Sequence, residues 1–152
     1  MDYNFEIIEQ KEQPVLSVRT RTAAANLSQA CGKAYGAVYQ YLGQQGQSPA
    51  GIPFVAYYNM DMADLDVEIG VPVAKPTLGR GEVIQGVIPA GKQASCMYKG
   101  SYGQIGPAYD ALGAWLTEQG ATPTGVCYEF YLNEPGAVPE EELLTKIVFL
   151  LK

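Results

Sequence analysis

The chain repeats itself. Ala34 to Asn59 (AYGAVYQYLGQQGQSPAGIPFVAYYN) and Ala108 to Asn133 (AYDALGAWLTEQGATPTGVCYEFYLN) align without a gap at a separation of 74 residues. The alignment pairs Ala34 with Ala108, Tyr35 with Tyr109, Leu42 with Leu116, Gly46 with Gly120, Pro49 with Pro123, Gly51 with Gly125, Tyr57 with Tyr131 and Asn59 with Asn133. Glycine, proline and aromatic positions held in register mean one supersecondary unit built twice.

Each copy opens on a helical pattern. Leu27, Cys31, Ala34, Val38, Tyr41 and Leu42 fall at helical spacing in the first, and Ile105, Ala108, Leu112, Trp115 and Leu116 in the second. Asn26 with Gln29 and Ser101 with Gln104 have the spacing of capping boxes, and Gly46 and Gly120 are expected to stop the helices in the left-handed conformation. Strands are expected at 53–59 and 126–133 after each helix, then at 65–73 and 143–151. Before the helices, 5–10 with 15–21 and 82–88 with 93–98 read as leading hairpins, turning near Pro14 and near Pro89-Ala90-Gly91.

The expected fold is α+β: a tandem βαββ duplication of the SHS2 type, an antiparallel sheet with two helices on one face and a central groove between the copies. Its 152 residues fit a single domain, with pseudo-repeats at about 1–74 and 80–152.

Composition removes several kinds of chemistry. The chain has no histidine, which excludes Ser-His-Asp and Cys-His nucleophilic systems and histidine zinc sites. Cys31, Cys96 and Cys127 show no C-x-x-C spacing, so buried thiols are expected rather than a disulfide framework or a metal site. No phosphate-cradling glycine motif occurs, and no cofactor is expected. A formal charge of −6 with scattered Lys and Arg argues against direct nucleic-acid binding and against a membrane-surface patch. No apolar run nears the roughly 18 residues of a membrane span, and the start lacks a signal-peptide pattern, so a cytoplasmic location is expected.

Glu129 stands out because it interrupts the apolar and aromatic strand CYEFYL where the repeat has Val55. Period-2 geometry puts Cys127, Glu129 and Tyr131 on one face of that strand. A carboxylate on a helix-covered face must be hydrogen-bonded, protonated or matched to a cation; the bland alternative is that it points to solvent. Tyr57, the repeat mate of Tyr131, and Tyr131 itself are expected to flank it, and rings around a carboxylate suit cationic, planar organic compounds. Tyr35 and Trp115 on the helices are further lining candidates whose simpler role is packing. Glu68 lies on the polar alternation of DVEIGVPV, where a solvated side chain is the simpler reading.

These segments resemble the GyrI-like small-molecule-binding family, the effector-binding domain of certain bacterial transcription activators. The resemblance runs through GIPFVAYYN and DVEIGVPV in the first half, then GSYGQIGPAYDALGAWL and CYEFYLNEP in the second. It implies a pocket glutamate at Glu129 that recognises cationic, lipophilic compounds, with Tyr57 as a wall and Tyr35 as a looser match. No DNA-reading segment precedes residue 1, so a stand-alone binding domain is expected rather than a one-chain regulator.

Three functions follow. The first is binding of a drug-like organic ligand, cationic or aromatic. The second, implied by relatives of the family, is hydrolysis of cyclopropane-containing compounds, with Glu129 acting on water and Tyr57 or Tyr131 supplying a proton. The third is a protein-interaction role with a regulator or with gyrase. Of these, a non-enzymatic binding role is preferred.

Overall fold

Both halves follow the order that the repeat requires. The computed structural model describes residues 3–152 and contains β1 (Glu6–Gln10), β2 (Gln13–Thr22), α1 (Leu27–Gln44), β3 (Phe54–Tyr57), β4 (Leu65–Pro72), β5 (Ile84–Ile88), β6 (Gly91–Lys99), α2 (Gly106–Gln119), β7 (Pro123–Tyr131) and β8 (Leu144–Leu151). The fold is α+β, with antiparallel ladders and one helix per copy.

The chain forms two compact units. One comprises Lys11–Ala90 and the other Gly91–Lys152 together with β1. In the first unit the strands lie in the order β3-β4-β2-β5, and in the second β7-β8-β6-β1, so each strand has a counterpart in the same place.

The leading hairpins expected from the sequence do not form. β1 pairs with β6, matching Glu6 with Ser95 and Gln10 with Gly91, while β5 pairs with β2, matching Ile88 with Gln13 and Ile84 with Ser17. The linkers explain it. Two-residue hairpin loops need positive φ and draw on Asn, Asp or Gly, whereas Lys11-Glu12 and Pro89-Ala90 supply none of these. The first strand of each copy, β1 and β5, therefore pairs in the unit built around the other helix, and the compact units do not follow the repeat boundaries.

The helix stops are as expected and the starts are not. Gly46 has φ +66° and Gly120 +68°. Around them, Gln47 N donates to Leu42 O at 2.9 Å and Gly46 N to Gly43 O at 3.1 Å, as Ala121 N does to Leu116 O at 3.0 Å and Gly120 N to Thr117 O at 3.2 Å. This is the same Schellman closure twice. At the starts, neither Asn26 nor Ser101 makes a side-chain cap bond. Short 3₁₀ turns, Ala24–Asn26 and Tyr102–Gln104, intervene and take up the first N–H groups instead.

Asn59 and Asn133, the last matched pair of the repeat, pin the hairpins that follow. Asn59 Oδ1 accepts from Asp66 N at 2.9 Å and its amide donates to Asp64 O at 3.1 Å. Asn133 does the same with Leu144 N (2.9 Å) and Glu142 O (3.1 Å).

In the second unit, Ala108, Leu112 and Leu116 of α2 pack on Ala94, Cys96 and Tyr98 of β6 and Ile147 of β8. Each leucine, at most 1% exposed, stabilises the fold by about 1.5–3 kcal/mol through removal of apolar surface from water. This packing defines the helix-covered face of the sheet on which the site lies.

Candidate functional site

Register fixes which side chains share that face. β7 and β8 pair Cys127 with Phe149, Glu129 with Ile147 and Tyr131 with Thr145, while β6 and β8 pair Cys96 with Ile147 and Tyr98 with Thr145. Because Cys96, Tyr98 and Ile147 pack against α2, Glu129 and Tyr131 face the helix too. The solvent-facing reading of Glu129 is thereby overturned: its residue exposure is 8%.

Both carboxylate oxygens are held by phenols. Tyr131 donates to Oε1 at 2.8 Å, and Tyr109, reaching down from α2, donates to Oε2. The Tyr109 ring lies 5.7 Å from that of Phe149, and Tyr102 meets the Tyr131 ring edge-on at 5.5 Å and 60°. Tyr102 is 38% exposed, so the rings run from solvent inward to the carboxylate. Beside them, burial, reinforced by the Glu129 charge, pushes the Cys127 thiol up to about 12, and burial alone takes Cys96 up to about 11. Neither thiol is a nucleophile at neutral pH.

The repeat explains why Tyr109 belongs here. Its counterpart Tyr35, half-buried on α1, donates instead to the backbone oxygen of Phe54 at 2.8 Å. The helix position delivers a phenol to the sheet in both copies, and the recipient differs because Val55 has no acceptor where Glu129 has two. The pairing of Tyr35 with Tyr109 was the signal in the sequence that could have found it.

Tyr57, buried at 8% exposure, belongs to the first unit and lies on the face of Val55, Val67 and Ile69. Tyr35 serves as a helix-to-strand anchor in that same unit. Trp115 stacks on Phe5 at 5.2 Å and 18°, at the edge of the second unit's core. This is the packing role.

Glu68 is not the solvated residue its alternation suggested; it is 6% exposed. Ser17 Oγ donates to its Oε2 and Tyr58 to its Oε1, each at 2.6 Å. Arg19 lies 3.8 Å over the Tyr58 ring and pairs with Asp66 at 2.7 Å. Strand register puts Glu68 on the face of Ser17 and Arg19, opposite Tyr57. It is a second carboxylate held by two hydroxyls, and Ser17 and Tyr58 are the partners that sequence reading missed.

Among the described residues no three His, Cys, Asp or Glu side chains group as a metal would need, and no helix is long and apolar enough to cross a membrane. A surface cleft of about 300 Å³ opens in the second unit beside Ile7, Lys92, Thr122 and Lys152 and includes none of the candidate residues.

Residues 3–152 match the family described as the GyrI-like small-molecule-binding domain. No curated protein matches the chain. Among solved structures, the C-terminal domain of EcmrR is similar with a TM-score of 0.76 at 22% identity, covering 100% of this chain and 99% of that one. The chain spans only 57% of the longer EcmrR chain seen in a complex with DNA, at 23% identity and a TM-score of 0.76. A hydrolase from Listeria innocua has a TM-score of 0.70 at 15% identity, with 99% of this chain and 93% of that one covered. SAV2435, solved with tetraphenylphosphonium bound, gives 0.69 at 10% identity, with 98% and 94% covered. At these identities the likeness is one of fold.

Proposed function

This chain belongs to the GyrI-like small-molecule-binding family, and from that premise we propose that it takes up a cationic, lipophilic aromatic compound at Glu129. The observation that carries the reading is a carboxylate at 8% exposure whose oxygens are both held by ring-bearing hydroxyls. Phenol donors fix the carboxylate's orientation without cancelling its charge. Out of bulk water that charge attracts a cation more strongly than a surface carboxylate does. Tyr102, Tyr109 and Tyr131 offer ring faces to the same cation, each contributing about 0.5–2 kcal/mol.

A titration with a panel of cationic aromatic dyes, run on the wild type and on Glu129→Gln, tests the reading. Loss of the carboxylate charge is expected to weaken binding of cationic members by about tenfold or more, the equivalent of roughly 1.4 kcal/mol. Unchanged affinity for every dye removes Glu129 from the site.

Hydrolysis is the second reading, favoured by the same contact between Glu129 and two phenols, since a carboxylate and a phenol can share the proton transfers of water addition. In the ring-opening step, water adds its oxygen to one cyclopropane carbon as that carbon–carbon bond breaks. Glu129 takes the water proton while Tyr131 or Tyr109 protonates the departing carbon. Incubation with a cyclopropane-bearing alkylating compound, followed by mass analysis, detects the added water. An unchanged mass with wild type rejects it.

A further inference from the structure

Thr145 carries a hydroxyl buried at 0% exposure with no hydrogen-bond partner, the only such buried side-chain oxygen or nitrogen among the described residues. It sits on β8 opposite Tyr131 on one side and Tyr98 on the other, on the helix-covered face that also holds Glu129. Neither neighbour serves it: Tyr98 donates to Ser101 O at 2.7 Å and Tyr131 donates to Glu129.

Folding alone does not require this hydroxyl. In the first copy Tyr57 pairs with Val67 as Tyr131 pairs with Thr145, so the counterpart of Thr145 is a valine, itself fully buried. A valine fills the same volume and strand preference without a polar atom to desolvate. The second copy thus departs from the first toward polarity at two positions of one face, Glu129 for Val55 and Thr145 for Val67. Glu129 pairs with Ile147, so Thr145 is its diagonal neighbour, at about 7–8 Å in a sheet.

We infer that Thr145 is a specificity-determining contact of the Glu129 site, hydrogen-bonding an oxygen- or nitrogen-bearing group of the ligand beside its cationic centre. The inference rests on the small-molecule reading of that site and narrows its ligand class to aromatic cations that also carry a hydroxyl, carbonyl or amine. A site built to satisfy a buried hydroxyl rejects an analogue lacking the partner group, because the hydroxyl is then left unpaired.

Two phosphonium cations separate the possibilities, tetraphenylphosphonium and its mono-(4-hydroxyphenyl) analogue, titrated against wild type and Thr145→Val with thermal melts of the unliganded proteins. Wild type is expected to prefer the hydroxyl-bearing cation. Thr145→Val should lose that preference, by about threefold to tenfold for one neutral hydrogen bond, while binding tetraphenylphosphonium as before. The unliganded variant should melt no lower than wild type, since no bond is removed. Equal effects on both cations, or none on either, overturn the inference while leaving the cation site intact, as does a lower melting temperature, which reveals a partner within the chain. Failure of wild type to bind either cation overturns the Glu129 reading, and this inference with it.

Discussion

Tyr109 on α2 and Glu129 on β7 are joined by a hydrogen bond that ties the helix to the sheet through a carboxylate. Tyr35 and Phe54 make the equivalent tie in the other copy through a backbone carbonyl. The two ties differ in the charge of the acceptor, and a hydrogen bond to a charged group is worth about 1.5–3 kcal/mol against about 0.5–1.5 for a neutral one. Tyr109→Phe is therefore expected to lower unfolding stability more than Tyr35→Phe, by roughly 1 kcal/mol, measured by urea titration. Equal losses would mean that the carboxylate is no better an acceptor than the backbone.

The thiols should react in two classes. Cys31 is half-buried on α1, while Cys96 and Cys127 are buried and have thiols pushed up to about 11 and about 12. Near pH 8 a thiol-reactive disulfide reagent is expected to label Cys31 alone in the folded protein and all three thiols in denaturant. Rapid native labelling of Cys127 would place it outside the packed interior described here.

Gly46 and Gly120 close the two helices with the same bonds and nearly the same positive φ. Alanine at either site must adopt the left-handed region, at roughly 1–2 kcal/mol. A methyl group at either position would meet nothing within 4 Å beyond its own neighbours along the chain, so packing against the rest of the fold adds no crowding. The two substitutions should cost about the same in a denaturant melt, and a wide difference would break the equivalence of the copies.

Acid should dissolve the Arg19–Asp66 pair. The Arg19 hydrogen bond holds the Asp66 carboxyl below its ordinary 3.8. A depressed carboxyl stabilises the fold fully above its unfolded value near 3.9 and loses that contribution as pH falls through the folded value. The pair is partly exposed, so Asp66→Asn should cost less than about 1 kcal/mol at neutral pH. Its stability deficit should shrink as the pH drops below about 4; a deficit independent of pH would assign the loss to something other than charge.

How legible all this was depends on distance along the chain. The helices, their glycine stops and the succession of strands along the chain came from periodicity and the repeat, and Glu129 was visible because Val55 stood opposite it in the alignment. Strand partners of β1 and β5 were not visible, since pairing between distant strands leaves no local mark and the linkers had to be read for what they lack. Thr145 was hidden for a different reason. The loop after Asn133 is longer than the one after Asn59, which breaks the ungapped register, so the match of Thr145 to Val67 exists only in the strand pairing. Glu68 shows the limit of alternation: a polar residue on the expected outer face is buried because Ser17 and Tyr58 satisfy it.

The measurement that bears most directly on the Glu129 site is calorimetric titration with two ions of nearly equal size and opposite charge, tetraphenylphosphonium and tetraphenylborate. Wild type is expected to favour the cation by about tenfold or more, and Glu129→Gln to lose that preference while keeping whatever affinity the rings provide. Equal affinity for the two ions in wild type, or a cation preference that survives Glu129→Gln, would contradict the account.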